Sequence, residues 1–266
     1  MNKSEKPSIL AHKYYLKSSV FRPENLLREA RRQKSIPECK IPKVCVLDPD
    51  GDILDYLQQA GRASLNLCWS GYHTQMYQFT EGGIEIGIIG RAVGASFAVL
   101  LAEQMFVSGC KLLISITSAG TIKPTPKGEK FILIEEALRD EGTSYHYLPP
   151  GQPAKIDSGL LCKLVSLRDV PDLSVGIGKS WTTDAPYRET SKAIESAKRQ
   201  GVTAVEMEAA ALYAFAKARE KPVVCFAHLT NTMAQQEKDF EKGVENGSLA
   251  SLKVISQTIY NLNFSQ

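Results

Sequence analysis

Glu206 and Glu208 lie two residues apart in the run Ala204-Val205-Glu206-Met207-Glu208-Ala209-Ala210-Ala211, where a short apolar stretch gives way to a helical pattern. Carboxylates two apart face the same way on an extended backbone, and such pairs recognise paired sugar hydroxyls. A second reading makes both of them first-turn acids that counter a helix dipole. The helix behind them, AAALYAFA, is almost wholly apolar and small. The acids therefore stand at the mouth of a buried element rather than on a solvated face.

Three further segments carry groups suited to binding. Gly87, Gly90 and Gly94 in IGIIGRAVGA sit where a strand meets a helix, so free amides at a positive helix end face outward and suit an anion. The spacing is not GxGxxG, and tight strand-to-helix packing accounts for the glycines equally well. Arg91 adds a guanidinium to that turn, a group matched to phosphate. In Ser115-Ile116-Thr117-Ser118-Ala119-Gly120 small hydroxyl residues fall at the C-terminal end of a strand, where open α/β sheets bind ligands; an ordinary polar turn is the alternative. The run Trp181 to Thr190 mixes aromatics, hydroxyls and charge between a strand and a helix. Thr190 fits an N-cap and Asp184 a turn, while an aromatic beside Arg188 also suits a planar heterocycle.

The order of these segments resembles the nucleoside phosphorylase superfamily, which includes uridine phosphorylase, hexameric purine nucleoside phosphorylase and methylthioadenosine nucleosidase. The resemblance runs from a Gly turn through S-A-G, T-T-D-A-P-Y-R-E-T and V-E-M-E-A-A-A to an apolar strand ending in T-N, over roughly residues 43 to 260. VEMEAAA is its most specific part, and TTDAPYRE looks closest to the uridine phosphorylase branch. The resemblance implies that Glu208 binds the ribose hydroxyls, with Glu206 and the Met207 backbone completing that pocket. It implies that Thr182, Thr183, Pro186, Tyr187 and Arg188 line the base, and that Arg188 and Asn231 stabilise the departing heterocycle. Thr117 and Ser118 correspond to the hydroxyl residues beside phosphate, and Gly51 in Pro49-Asp50-Gly51-Asp52 to the amide of a first phosphate loop. His12 is the loosest match, to a histidine that reaches the ribose of a neighbouring subunit. Phosphate is then a co-substrate, no cofactor or metal is needed, and the implied assembly is a homo-oligomer, either a dimer or a hexamer built from dimers.

Three positions depart from that pattern. Phosphorylases carry Arg where this chain has Ser115, a second Arg where Ile53, Leu54 and Asp55 stand, and, in the uridine branch, an Arg at Thr232. Arg91 is the candidate to replace the missing charge. Asn231 occupies the place of a general-acid Asp in the purine and nucleosidase branches, and agrees with uracil, whose anion is a tolerable leaving group. Phosphorolysis of a uridine-like nucleoside is the reading these residues favour. The alternatives are hydrolysis by water and a nucleoside-binding homologue without turnover.

The elements that must position these groups follow from periodicity. Short apolar runs near 43–47, 84–89, 111–116, 131–134, 173–177 and 222–229 predict strands, and amphipathic or buried stretches near 94–108, 190–200, 207–219 and 248–261 predict helices, the last with Ser248 as N-cap. Alternation of this kind predicts a single α/β domain with a central, mostly parallel or mixed twisted sheet surrounded by helices. Residues 1–42 read as an N-terminal extension with a helix over 23–34, and residues 43–266 as the domain itself. The polar stretch 135–160, with Pro149-Pro150-Gly151, reads as a long loop.

Composition narrows the function classes. The chain has 266 residues, 43% of them hydrophobic, which suffices for a full core. A net charge of +3, from 32 basic and 29 acidic residues scattered along the chain, gives little reason to bind nucleic acid. No apolar run approaches a membrane span and no signal-like segment opens the chain, so a cytoplasmic location is expected. The six cysteines form no CxxC pair and read as reduced thiols, and the four histidines show no metal-hydrolase spacing.

Overall fold

The computed structural model of the chain describes residues 7–125, 127–232 and 239–264. Ten strands form one mixed sheet: β1 (Val44–Asp48), β2 (Ser64–Leu65), β3 (Tyr77–Glu81), β4 (Ile84–Gly90), β5 (Leu112–Thr121), β6 (Phe131–Asp140), β7 (Ala154–Lys155), β8 (Val175–Thr183), β9 (Val202–Glu206) and β10 (Val223–Asn231). The helices around it are α1 (Pro23–Lys34), α2 (Asp52–Gln59), α3 (Ala95–Ser108), α4 (Ser158–Leu164), α5 (Ser191–Arg199), α6 (Ala209–Arg219) and α7 (Ser248–Asn261). This is the α/β architecture that the alternation predicts.

Every residue of β1 is buried, as a central parallel strand covered on both faces requires. It lies between β4 and β5, parallel to both. Beyond β5 the sheet closes on itself. β5 pairs β10, β10 pairs β6, β6 pairs β8, β8 pairs β9, and β9 returns antiparallel to β5 through Gly120 and Thr121. The ring brings the ends of β5, β8, β9 and β10 to one rim, with Thr182 opposite Glu206 and Asn231 opposite Gly120.

Helices α3 and α6 pack together against the ring. Both are apolar nearly all round, which fits burial rather than a surface position. Gly109, at φ +126°, ends α3 in a conformation that a side chain rarely adopts. Helix α1 begins at Pro23 and buries Leu27 and Ala30.

Several expectations are corrected. The expected loop over 135–160 is largely structured: β6 runs on to Asp140, a 3-10 turn covers Thr143–His146, and β7 and α4 follow. Arg139 is the reason. Its guanidinium donates to Ser144 Oγ and to the carbonyls of Leu148, Pro149 and Gln152, and stacks on the Tyr145 ring at 4.3 Å. The polar residues that read as loop thus wrap one cation. The N-cap of α7 is Gly247 rather than Ser248, whose hydroxyl instead donates to the Asp52 carbonyl. Cys39 and Cys68 form a disulfide, against the expectation of reduced thiols throughout, and Cys162 is exposed; Cys45, Cys110 and Cys225 are free and buried. Spacing of 29 residues carries no pairing signal, because the fold rather than the sequence brings these two together. Among the described residues, no helix is long and apolar enough to cross a membrane, and no group of His, Cys, Asp and Glu is placed to hold a metal ion.

Candidate active site

Glu206, the last residue of β9, spends its carboxylate on the protein. Ser180 and Thr182 hydroxyls donate to Oε1, and the amides of Glu208 and Ala209 donate to Oε2 at 2.7 and 2.6 Å. Thr182 in turn accepts from the Ala210 amide at 2.9 Å. The helix-start reading therefore holds for Glu206. Glu206 satisfies the amides opening α6, while Glu208 is left to point elsewhere.

Glu208 is 1% exposed. Its Oε1 accepts from the Gly94 amide at 2.7 Å, the Thr117 hydroxyl stands beside the carboxylate, and its Oε2 is buried with no hydrogen bond of normal geometry. Burial first, and the Glu206 charge second, push its carboxyl up to about 8. Burial also raises Glu206, but four donors favour its ionised form, so the proton of the pair belongs on Glu208. A buried carboxyl with one oxygen unspent is a ready receptor for hydroxyl groups.

The first loop lies beside it. Asp48, at the end of β1, accepts from the amides of Gly51 and Leu54, and burial pushes its carboxyl up to about 7. Gly51 turns the chain at φ +88°, with Arg91 Cγ only 2.9 Å from where a Cβ would stand, so both conformation and space demand glycine there. Its amide is engaged by Asp48. Arg91 lies over this turn, 61% exposed, and pairs with Asp55 at 2.5 Å.

Asp50 reaches across to β5. Its Oδ2 accepts from the Ser118 amide at 2.8 Å and its Oδ1 from the Ser118 hydroxyl at 2.9 Å. Lys242 stands 3.6 Å from Asp50 and also pairs with Asp52. His228 lies opposite Ser118 on β10 and stacks on Phe131 with ring centroids 4.4 Å apart. Burial and the Lys242 charge push its imidazole down to about 4, so it is neutral at pH 7.

The structure thus gathers Glu206, Glu208, Thr117, Ser118, Gly51 and Asn231 at the strand ends. Thr182 is placed behind them, as a support for Glu206 rather than a lining group. Thr183 accepts from the Ala185 amide. Pro186 is half-buried, Tyr187 is 99% exposed and Arg188 is exposed, on the turn that follows β8. Met207 is half-buried between the two acids. His12 is exposed, at φ 53°, in the N-terminal segment. Asn231 donates to the Thr230 hydroxyl at 3.1 Å. Asp184 holds the Gly142 amide, and Trp181 donates to Asp140, so the segment after β8 is tied to the end of β6.

Sequence reasoning passed over Asp50, Lys242 and His228. Asp50 stands in the turn singled out for Gly51, but its approach to Ser118, 68 residues on, is made by the fold. Lys242 carried none, since its partner Asp52 is 190 residues away.

The phosphorylase superfamily model matches residues 47–259, four-fifths of the chain. The chain belongs to the phosphorylase superfamily. Among similar proteins, guanosine phosphorylase of Halorubrum lacusprofundi is 24% identical over 135 residues, 51% of this chain and 56% of that protein. Uridine phosphorylase of Thermococcus kodakarensis is 26% identical over 157 residues, 54% and 55% of the two chains. The chain thus spans about half the length of these curated relatives. Of solved structures, uridine phosphorylase of Vibrio fischeri superposes with a TM-score of 0.69 at 17% identity, covering 85% of this chain and 93% of its own. Purine nucleoside phosphorylase of Toxoplasma gondii gives 0.69 at 15% identity, with 85% and 92% covered. At these identities the superpositions establish the fold, and this phosphorylase-superfamily fold has purine and pyrimidine enzymes among its neighbours alike.

Proposed function

We propose that this superfamily member cleaves the N-glycosidic bond of a nucleoside, uridine-like before purine, with phosphate as acceptor. The observation that carries the proposal is Glu208, a buried carboxyl with Oε1 fixed by Gly94 and Oε2 unspent at the strand ends. Ionised, it accepts the ribose hydroxyls and favours the positive charge that the sugar gains as the bond stretches. The C1′–N bond breaks with its electron pair on the base, and a phosphate oxygen closes the new C1′–O bond. The products are ribose 1-phosphate and a base anion that takes a proton from water. Arg188 and Asn231 donate to the departing base, and Thr183, Pro186 and Tyr187 flank it. Asn231, which cannot donate an ionisable proton, supports a pyrimidine whose anion leaves without general-acid help.

Thr117, Ser118, Gly51 and Arg91 form the acceptor side in this reading. Homo-oligomerisation, as a dimer or hexamer, belongs to the same proposal, with His12 meeting the neighbouring subunit's ribose. Its support is the run of exposed apolar side chains in the N-terminal segment, Tyr14, Leu16, Val20 and Phe21, together with Tyr187. A cytoplasmic location is part of the reading too.

Hydrolysis is the second reading, favoured by one observation: Asp50 occupies the Ser118 amide and hydroxyl. Base release from uridine, cytidine, inosine and adenosine, with and without phosphate, tests both. Ribose 1-phosphate as product supports phosphorolysis, ribose supports hydrolysis, and no base released from any nucleoside overturns the proposal.

A further inference from the structure

Ser118 offers two donors on one residue, and both are filled by Asp50. Lys242, with its side chain 16% exposed, stands against Asp50 and Asp52. The carboxylate therefore sits in a small anion receptor made of an amide, a hydroxyl and an ammonium. Among the other described groups near this receptor, Lys130, which faces His228, is cationic. His228 is neutral at pH 7, Asp48 and Asp52 flank the loop, and Glu208 lies on its inner side. Arg91, assigned above to the acceptor side, is paired with Asp55 and reaches an anion there only when that exposed pair opens. A phosphate dianion placed on Ser118 beside the Asp50 carboxylate would meet like charge within a few ångström, an arrangement that electrostatics disfavours.

We propose that Asp50 is a built-in competitor for the acceptor anion, which reaches the Ser118 amide and hydroxyl only as Asp50 leaves, with Lys242 passing from the two aspartates to that anion. This rests on the phosphorolysis reading for its biological sense, but the competition concerns binding alone. The Asp50 side chain is 28% exposed, so it has solvent to turn into. Lys242 thereby supplies the cation absent at Ser115 and after the first loop. Asp50 then sets how much phosphate the protein needs, and so whether water or phosphate takes the sugar.

Titration calorimetry with inorganic phosphate, at ionic strength held constant with sodium chloride, tests this on the wild type and on Asp50→Ala, Asp50→Asn and Asp50→Ala/Lys242→Met. Circular dichroism confirms that each is folded, and the isosteric Asn variant guards against an artefact of truncation. The expected result is phosphate affinity at least about tenfold higher in both single variants, the scale of one like charge removed from a half-buried site, and loss of that gain in the double variant. Equal affinity in wild type and folded single variants overturns the competition. A gain undiminished without Lys242 overturns its transfer. Base release from uridine is measured separately, so loss of the nucleoside reading leaves the binding result standing.

Discussion

The amide of Gly94 donates to Glu208 Oε1 across 114 residues of sequence, tying the start of α3 to the start of α6. One carboxylate oxygen is thereby oriented while the other stays unspent, which is the arrangement a receptor for hydroxyls requires. Glu208→Gln keeps the shape and removes the charge. Base release should fall by at least about two orders of magnitude, the scale for one preorganised polar contact. The circular dichroism spectrum should be unchanged. Wild-type turnover in the folded variant would remove Glu208 from the sugar pocket.

Because Glu208 is pushed up to about 8, most of it is protonated at pH 7 in the free protein. Only the ionised form accepts two hydroxyls. kcat/KM for the nucleoside should therefore rise about tenfold per pH unit below 8 and level off above it. In Glu208→Gln this rise should vanish, and its persistence would assign the titration to another group.

The same shift has a stability sign. A carboxyl whose folded pKa is raised contributes stability below its ordinary range and loses it as pH rises through the folded value. Asp48, at about 7, and Glu208, at about 8, act in the same direction, and His228, pushed down from 6.5 to about 4, opposes them at the acid end as one group against two. Tm should fall as pH is raised from 5 to 8, and fall less steeply in Glu208→Gln. A Tm that climbs over this interval would contradict the burial of these charges.

Among nucleosides, uridine should release base faster than inosine or adenosine. Purine departure gains more from protonation of the base, which Asn231 does not provide. Initial rates with the four nucleosides at equal concentration decide the matter, and inosine ahead of uridine would reverse the specificity.

Arg139 should be a stability residue. Its loss leaves three carbonyls and the Ser144 hydroxyl without their donor. Arg139→Ala should cost about 3 kcal/mol in urea unfolding, and Arg139→Lys nearly as much, because an ammonium cannot reach four acceptors arranged in a plane. A Lys variant as stable as wild type would refute that geometry.

How far the sequence could be read depended on whether the cause was local. Strands such as β1 and β10 and helix α3 are fixed by their own apolar runs, so they were visible. Thr190, the N-cap of α5, accepts from the Ala193 amide as its position suggested. β9 is five residues long and closes the ring through two antiparallel pairs with β5, a long-range fact with little local trace. α2 buries Ile53, Leu54 and Leu57 at helical spacing, but in eight residues that pattern is too short to stand out from the turn before it. Within the site, the acidic pair was legible but its division of labour was not. Glu206 and Glu208 have identical side chains, and only the donors converging on the first distinguish them.

The closure of β5, β10, β6, β8 and β9 into a ring also bears on how this protein behaves at high concentration. Strands joined on both sides have no free row of amides and carbonyls for another molecule to extend. The far margin of the sheet is β2, two residues long, beside β3, whose last residue, Glu81, is paired with Arg62. So short and charged a margin is a poor template for strand-to-strand joining, which disfavours fibrils seeded from the native sheet.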